Sequence, residues 1–190
     1  MQKSNFLKLS IYLSFLLRHN PDSLHLSMDK HGFVNIEELI NAINKDGQYA
    51  ITKELLGRIV AEDNKGRYRY NADGTKVKAC QGHSIPWVEP ELKILDPPSV
   101  LYHGTTVSAY NGILSSGAIL KMKRHAVHLH ANLSEAWDSA RRWKKPCVVL
   151  KIDSARMFSE GHLFCVSDNM VWLTESVPVK YICGVLHAIN

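Results

Sequence analysis

An α+β chain of two lobes is predicted by three observations. Apolar residues recur at helical spacing in three segments before residue 61. An Asp73-Gly74 turn signal between two short strand-like segments follows them, and beyond a proline cluster the pattern changes to short apolar runs with few helices between. The boundary is expected among Pro86, Pro90, Pro97 and Pro98, giving lobes at residues 1–88 and 98–190. With 190 residues and 45% apolar composition, the chain has ample material for a buried core.

No apolar run approaches the roughly 18 residues needed to span a bilayer, and no basic-then-apolar leader opens the sequence. A cytoplasmic location without a membrane partner is therefore expected. Cys80, Cys147, Cys165 and Cys183 lie far apart with no CxxC pair, which favours reduced core residues over disulfides or zinc ligands. The net charge of +5 favours an anionic partner such as nucleic acid without specifying one. Nothing points to an obligate protein partner, so a monomer is expected.

The first helix is predicted ahead of LLRHNP (residues 16–21). Leu7, Ile11 and Phe15 recur at helical intervals, so the Arg18 stem is expected to continue an apolar stripe while its guanidinium projects beyond the last turn. Asn20 and Pro21 stop the helix, because proline disfavours helical geometry in the residue before it. Arg18 and His19 are thereby delivered together. Two uses stand open for them: complementing the helix dipole, about 0.3–1 kcal/mol each, or forming an anion site.

Residues 32–34 read as a short strand. Asn35 with Glu38 is a helix start, and Ile36, Leu39, Ile40 and Ile43 form one helical face. Thr52 starts another helix carrying Leu55, Leu56, Ile59 and Val60. Segments 67–71 and 76–80 flank the turn signal, and three helices followed by a hairpin predict a winged helix. Strand alternation puts Arg67 and Arg69 on one face and Tyr68 and Tyr70 on the other. Such a ribbon suits a nucleic-acid strand, or is an ordinary amphipathic hairpin with its charges in water.

In the second half, residues 100–102, 126–130, 147–152, 163–166, 171–174 and 181–186 read as strands, with helices near residues 109–114 and 134–143. LYHGT (residues 101–105) is expected to open from a strand into a loop at His103-Gly104, the glycine allowing close approach of a ligand. KRHAVHLH (residues 123–130) places Arg124 just before a strand carrying His128. His125, His128 and His130 admit a metal site or structural histidines, but no carboxylate or cysteine completes a familiar ligand set. No GxGxxG follows a strand, so a Rossmann dinucleotide site is absent.

Taken in order, LSFLLRHNP, GFVNIEEL, NKGRYRY, KACQGHS, LYHGT, KRHAVHL and SDNMVWLTESVP resemble the RNA 2′-phosphotransferase family, often called tRNA 2′-phosphotransferases, from near residue 10 to near residue 185. The resemblance implies an N-terminal winged-helix RNA-binding lobe and a C-terminal mixed-sheet lobe of the ADP-ribosyltransferase type. It implies removal of an internal 2′-phosphate from RNA, with NAD consumed as acceptor and no metal. The 2′-phosphate attacks the nicotinamide-ribose anomeric carbon and expels nicotinamide. The ribose 2″-hydroxyl then attacks that phosphate, giving RNA with a 2′-hydroxyl and ADP-ribose 1″,2″-cyclic phosphate.

The family's essential quartet matches here as Arg18, His19, Arg67 and Arg124, with Arg67 preferred over Arg69 by the Lys-Gly-Arg-aromatic pattern. Planar, always-charged guanidinium groups suit the oxygens of a migrating phosphate. His19 is expected to hold the attacking hydroxyl or move its proton. For NAD, the resemblance implies contacts from His103, Gly104 and Thr105, and puts His128 and Val171 at the second and third places of a His-His-hydrophobic pattern. Arg142 keeps its family place. The chain departs from the family at Ala126, commonly histidine, at His130, commonly serine, and at Ala140 and Lys144, near which glycines are common. Lys144 and His130 are expected to alter the rim of the NAD pocket, and Ala126 to matter little. An ADP-ribosyltransferase that acts on nucleic-acid phosphate ends and stops at the first step is the alternative enzyme. A non-catalytic RNA-binding protein leaves LYHGT and VWLTESVP (residues 171–178) without a use.

Overall fold

Two hydrophobic clusters with no residue in common give the chain two cores, one within residues 9–79 and the other within residues 101–181. The computed structural model describes residues 3–188, and its backbone divides into the units Met1–Glu91 and Leu92–Asn190. Both mix helices with antiparallel strands. No helix among the described residues is long and apolar enough to cross a membrane.

In the first unit, helix α1 (Lys3–His19) ends with Arg18 and His19 in its last turn. Its buried face is Leu9, Leu13, Leu16 and Leu17, whereas Leu7, Ile11 and Phe15 are 59%, 57% and 45% exposed. The apolar stripe that Arg18 continues is therefore not the buried face of the helix. Rows 7-11-15 and 9-13-17 are both spaced by four and lie about 200° apart around a helix, so spacing alone does not choose between them. The row that meets the core wins, and Arg18, seven residues after Ile11 and three after Phe15, lies on the other row.

A 3₁₀ turn (Pro21–Leu24) follows, then strand β1 (Val34–Asn35) and helices α2 (Ile36–Asp46) and α3 (Lys53–Ala61). Asn35 caps α2 by accepting from the backbone N–H groups of Glu37 and Glu38 at 2.9 and 3.1 Å. Thr52 caps α3 by accepting from Leu55 N–H at 3.2 Å. Each cap satisfies donors that a first helical turn leaves open. Strands β2 (Tyr68–Tyr70) and β3 (Lys76–Ala79) form the expected hairpin, and β1 joins β3 on its other side in the order β1-β3-β2. Tyr68 is buried and donates its hydroxyl to the Ser10 carbonyl at 2.6 Å, and Tyr70 packs on the same core. The tyrosines therefore fasten the hairpin to the core.

In the second unit, β4 (Lys93–Ile94), β5 (Val100–Thr106), α4 (Val107–Ser116), β6 (Ala118–Leu120), β7 (Val127–Leu129), α5 (Leu133–Arg141), β8 (Cys147–Asp153), α6 (Ser154–Ser159), β9 (Cys165–Val166), β10 (Trp172–Thr174), β11 (Ser176–Pro178) and β12 (Ile182–His187) follow in order. They make sheets β12-β8-β5, β4-β9-β10-β7 and β11-β6. The first two meet where Tyr102 and His130 exchange backbone hydrogen bonds of 2.8 and 2.9 Å. Strand β5 runs unbroken through His103 and Gly104, paired with β8 to Thr106, so the loop expected there is absent. Strands β4, β6 and β11 and helix α6 are too short for periodicity to register.

The segment expected between the lobes is taken up by both units. Glu89 donates its N–H to the Lys30 carbonyl at 2.7 Å, and Glu91 accepts from Lys78 at 2.6 Å, while β4 pairs with β9 in the second unit. Of the four cysteines only Cys80 is buried. Cys147 and Cys165 are half-buried and Cys183 is exposed, which corrects the expectation that all lie in cores.

Candidate active site

At one end of the first unit the loop after β3 folds back on the end of α1. Ser84 donates its N–H to the Arg18 carbonyl at 2.9 Å, and its hydroxyl lies 2.9 Å from His19 Nδ1. Gly82, at φ +86°, turns the loop where the Arg18 side chain lies against it. A Cβ there would stand 3.7 Å from Arg18 Cδ, Nε and Cζ, and a left-handed backbone favours glycine.

Arg67 enters from the strand side, where its carbonyl accepts from Cys80 N–H at 2.8 Å. Cys80 begins the loop that holds Arg18 and His19, so these three members of the quartet share one loop as their support. Asp63 fixes Arg67 further. Its carboxylate, 2% exposed, pairs with Arg67 Nη2 and accepts from Nε at 2.8 Å and from the Arg67 backbone N–H. Arg69 is used differently, paired with Glu91 and lying 5.6 Å from the Phe33 ring centre.

The second unit holds a cavity of about 860 Å³. His103, Gly104 and Thr105 of β5, Arg124, His128 of β7 and Arg142 all line it, whereas Val171 does not. Val171 is buried in the turn before β10, where it exchanges backbone and hydroxyl contacts with Ser167. His103 Nδ1 lies 3.0 Å from the His128 carbonyl, which only accepts, so Nδ1 carries the proton and Nε2 the lone pair. Burial pushes the His103 pKa down, against the raising effect of that hydrogen bond, and holds the ring neutral. Arg124 Nη1 stands 3.4 Å from His128 Nδ1, making that nitrogen the acceptor. Desolvation in the cavity wall, then the positive charge of Arg142, lower the Arg124 pKa. Arg142 donates to Ser139 Oγ at 2.7 Å.

Gly104 is not where a ligand approaches through the missing side chain. A Cβ there would stand 1.9 Å from the Ala136 carbonyl oxygen and 3.0 Å from Ala140 N, so helix α5 occupies that space. Ala140, fully buried, belongs to this close contact. Among the departures, Ala126 lines the cavity, while Lys144 and His130 do not. Lys144 instead takes a left-handed backbone, φ +50°, that a glycine adopts freely. His130 Nδ1 lies 3.4 Å from Glu135. Among the described residues, no group of three histidines, cysteines or carboxylates is placed to hold a metal ion.

Sequence reasoning missed Asp63, Ser84, Trp143 and the lysines of the cavity. The spacing of Asp63 and Arg67, four apart across a Gly66 turn, was a usable signal. No local pattern announces Ser84 or Trp143.

The chain matches the model of the RNA 2′-phosphotransferase, Tpt1 / KptA family over residues 4–176. It is 45% identical over 178 residues to a probable RNA 2′-phosphotransferase of Fusobacterium nucleatum subsp. nucleatum, covering 94% of this chain and 98% of that protein. A probable RNA 2′-phosphotransferase of Rhizobium leguminosarum bv. trifolii is 41% identical over 175 residues, 92% of each chain. One from Pseudomonas aeruginosa is 40% identical over 173 residues, 91% of this chain and 93% of that protein. With the match running through both units and both clusters of candidate residues, the chain belongs to the RNA 2′-phosphotransferase family.

Proposed function

We propose that this protein removes an internal 2′-phosphate from RNA and transfers it to NAD. NAD is here a substrate, consumed with release of nicotinamide. The observation that carries the reading is the family match over residues 4–176, which includes both the Arg18, His19, Arg67 cluster and the cavity of the second unit. In this reading the first unit is a winged-helix RNA-binding lobe and the second an ADP-ribosyltransferase-type lobe.

The cavity residues suit a dinucleotide. About 860 Å³ lies within the range of small-molecule sites, and Arg124 and Arg142 offer cations to a pyrophosphate and an incoming phosphate. Neutral His103, with its lone pair on Nε2, is an acceptor for a ribose hydroxyl. Gly104 and Thr105 continue the same strand wall, and His128 turns its Nδ1 to Arg124.

In the first step the RNA 2′-phosphate oxygen bonds to the anomeric carbon as the bond to nicotinamide breaks, nicotinamide leaving with the bonding pair. The phosphate is already anionic and needs no base. In the second step the ribose 2″-hydroxyl attacks the phosphorus and the RNA 2′-oxygen leaves. Arg18, Arg67 and Arg124 neutralise the charge gathering on the non-bridging oxygens, and His19 holds or deprotonates the attacking hydroxyl. Removal of one such group lowers the rate about 10²- to 10³-fold.

An oligoribonucleotide with one internal 2′-phosphate, incubated with and without NAD, tests the proposal by RNA mass and nicotinamide release. Phosphate loss only with NAD, matched by nicotinamide, is expected. A stable gain of ADP-ribose mass assigns the one-step transferase instead, and no change in RNA mass removes the catalytic reading.

A further inference from the structure

The cavity of the second unit has more positive charge than NAD calls for. Besides Arg124 and Arg142, Lys121, Lys123 and Lys145 line it, and among the described residues no aspartate or glutamate does. Lys121 has a carboxylate near it outside the lining, Glu175 at 3.7 Å, but both groups are exposed and the pair is weak. The phosphate charges of NAD are those of its pyrophosphate alone. The three lysines therefore stand beyond the demand of that substrate.

The same wall carries two large side chains in water. Trp143 is 64% exposed and Met122 83% exposed, and both line the cavity. Each is set by an irregular backbone: Met122 has φ +53°, and Lys144, the neighbour of Trp143, has φ +50°. Left-handed non-glycine residues are rare and cluster where a site is shaped. An exposed indole in a cavity is a stacking surface for a purine, and a thioether on the rim is a soft apolar contact. Lysines flank both: Lys121 and Lys123 on either side of Met122, and Lys145 two residues past Trp143.

We infer that this wall is a subsite for an adenosine 2′-phosphate, so that the cavity accepts NADP as well as NAD. The physical rule is one of sign. A carboxylate that accepts from the adenosine 2′-hydroxyl repels a phosphate in its place, whereas cations there bind it. The inference rests on the reading of this cavity as the dinucleotide site. With NADP the reaction balances as it does with NAD. The RNA phosphate oxygen bonds to the anomeric carbon, nicotinamide leaves with the bonding pair, and the final product retains the adenosine 2′-phosphate.

Calorimetric titration of the full chain with adenosine 5′-phosphate, adenosine 2′,5′-bisphosphate and adenosine 3′,5′-bisphosphate tests the subsite without turnover. The 2′,5′ isomer is expected to bind about tenfold tighter than the monophosphate, as one added charge-assisted contact implies. The 3′,5′ isomer is expected to gain little, and saturating ADP-ribose to displace the 2′,5′ isomer. Combining Lys121→Met, Lys123→Met and Lys145→Met brings the preference towards one, while Trp143→Ala weakens every adenosine ligand alike. NADP then releases nicotinamide with 2′-phosphorylated RNA. Equal affinity for the two bisphosphates overturns the subsite in favour of a diffuse positive field. Binding of the 2′,5′ isomer that ADP-ribose leaves untouched also overturns it and assigns the lysines to the RNA nucleotide. Failure of the monophosphate to bind removes the dinucleotide reading of the cavity itself, whereas its binding with no 2′ preference removes this inference alone.

Discussion

The carbonyl oxygen of Ala136 lies 1.9 Å from the point where a Cβ on Gly104 would stand. Strand β5 carries His103 and Thr105 into the cavity, and α5 carries Ser139 towards it with Arg142 just beyond the helix. The absence of one methyl group therefore sets the distance between two of the walls. Gly104→Ala drives a side chain into main-chain atoms, which yield less readily than a flexible side chain. A loss of about 3 kcal/mol, the upper part of the usual overpacking range, is expected in urea denaturation. An unchanged unfolding midpoint would mean that α5 moves away at little cost.

Asp63 is the support of Arg67, engaging its backbone N–H, Nε and Nη2 with one carboxylate that is almost wholly buried. Asp63→Asn keeps the shape but loses the charge-assisted geometry, so Arg67 samples other rotamers. Under the proposed function the second step slows about 10²-fold, and ADP-ribosylated RNA accumulates in single-turnover assays. Added guanidinium restoring Arg67→Ala but not Asp63→Asn would distinguish a lost cation from a misplaced one. Uniform slowing of both steps would count against a role specific to Arg67.

His103 gives a pH dependence with a definite sign. Its folded pKa lies below the ordinary histidine value because burial disfavours the charged ring. Below the unfolded pKa of about 6.5 the unfolded chain binds the proton more readily, so stability is complete above that pH and falls as pH drops towards the folded value. A nitrogen-15 NMR titration should place the His103 midpoint below that of an ordinary histidine, with the neutral ring carrying its proton on Nδ1. A midpoint at or above the ordinary histidine value would contradict the burial argument.

Much of the fold was legible because local chemistry and tertiary demand agree. Asn35 and Thr52 cap the helices they were expected to start, and the Asp73-Gly74 hairpin closes as its turn residues require. The first helix shows where legibility ends. Two apolar rows on opposite faces satisfy the same spacing, and only the core selects Leu9, Leu13 and Leu17 over Leu7, Ile11 and Phe15. At the site, residue types were readable but their uses were not. Gly104 was visible as a glycine, yet the atom it admits belongs to Ala136, 32 residues later. Lys144 and His130 were expected at the cavity rim, but backbone geometry directs Trp143 and Lys145 there instead. Such contacts depend on elements that sequence separation keeps apart.

Ser84 carries a prediction of its own, because it holds both halves of the Arg18-His19 pair. Its N–H binds the Arg18 carbonyl and its hydroxyl meets His19 Nδ1 at 2.9 Å. Ser84→Ala preserves the backbone bond and removes only the hydroxyl, so the fold is kept while the imidazole loses one of the contacts that orient it. A net hydrogen bond is worth about 1 kcal/mol, which corresponds to roughly a fivefold effect. The second step is expected to slow by about that factor with nicotinamide release in the first step unaffected, and Ser84→Thr, which retains the hydroxyl, is expected to recover most of it. Equal slowing of nicotinamide release in Ser84→Ala would show that the hydroxyl supports Arg18 and the whole loop, and that His19 is held by other contacts.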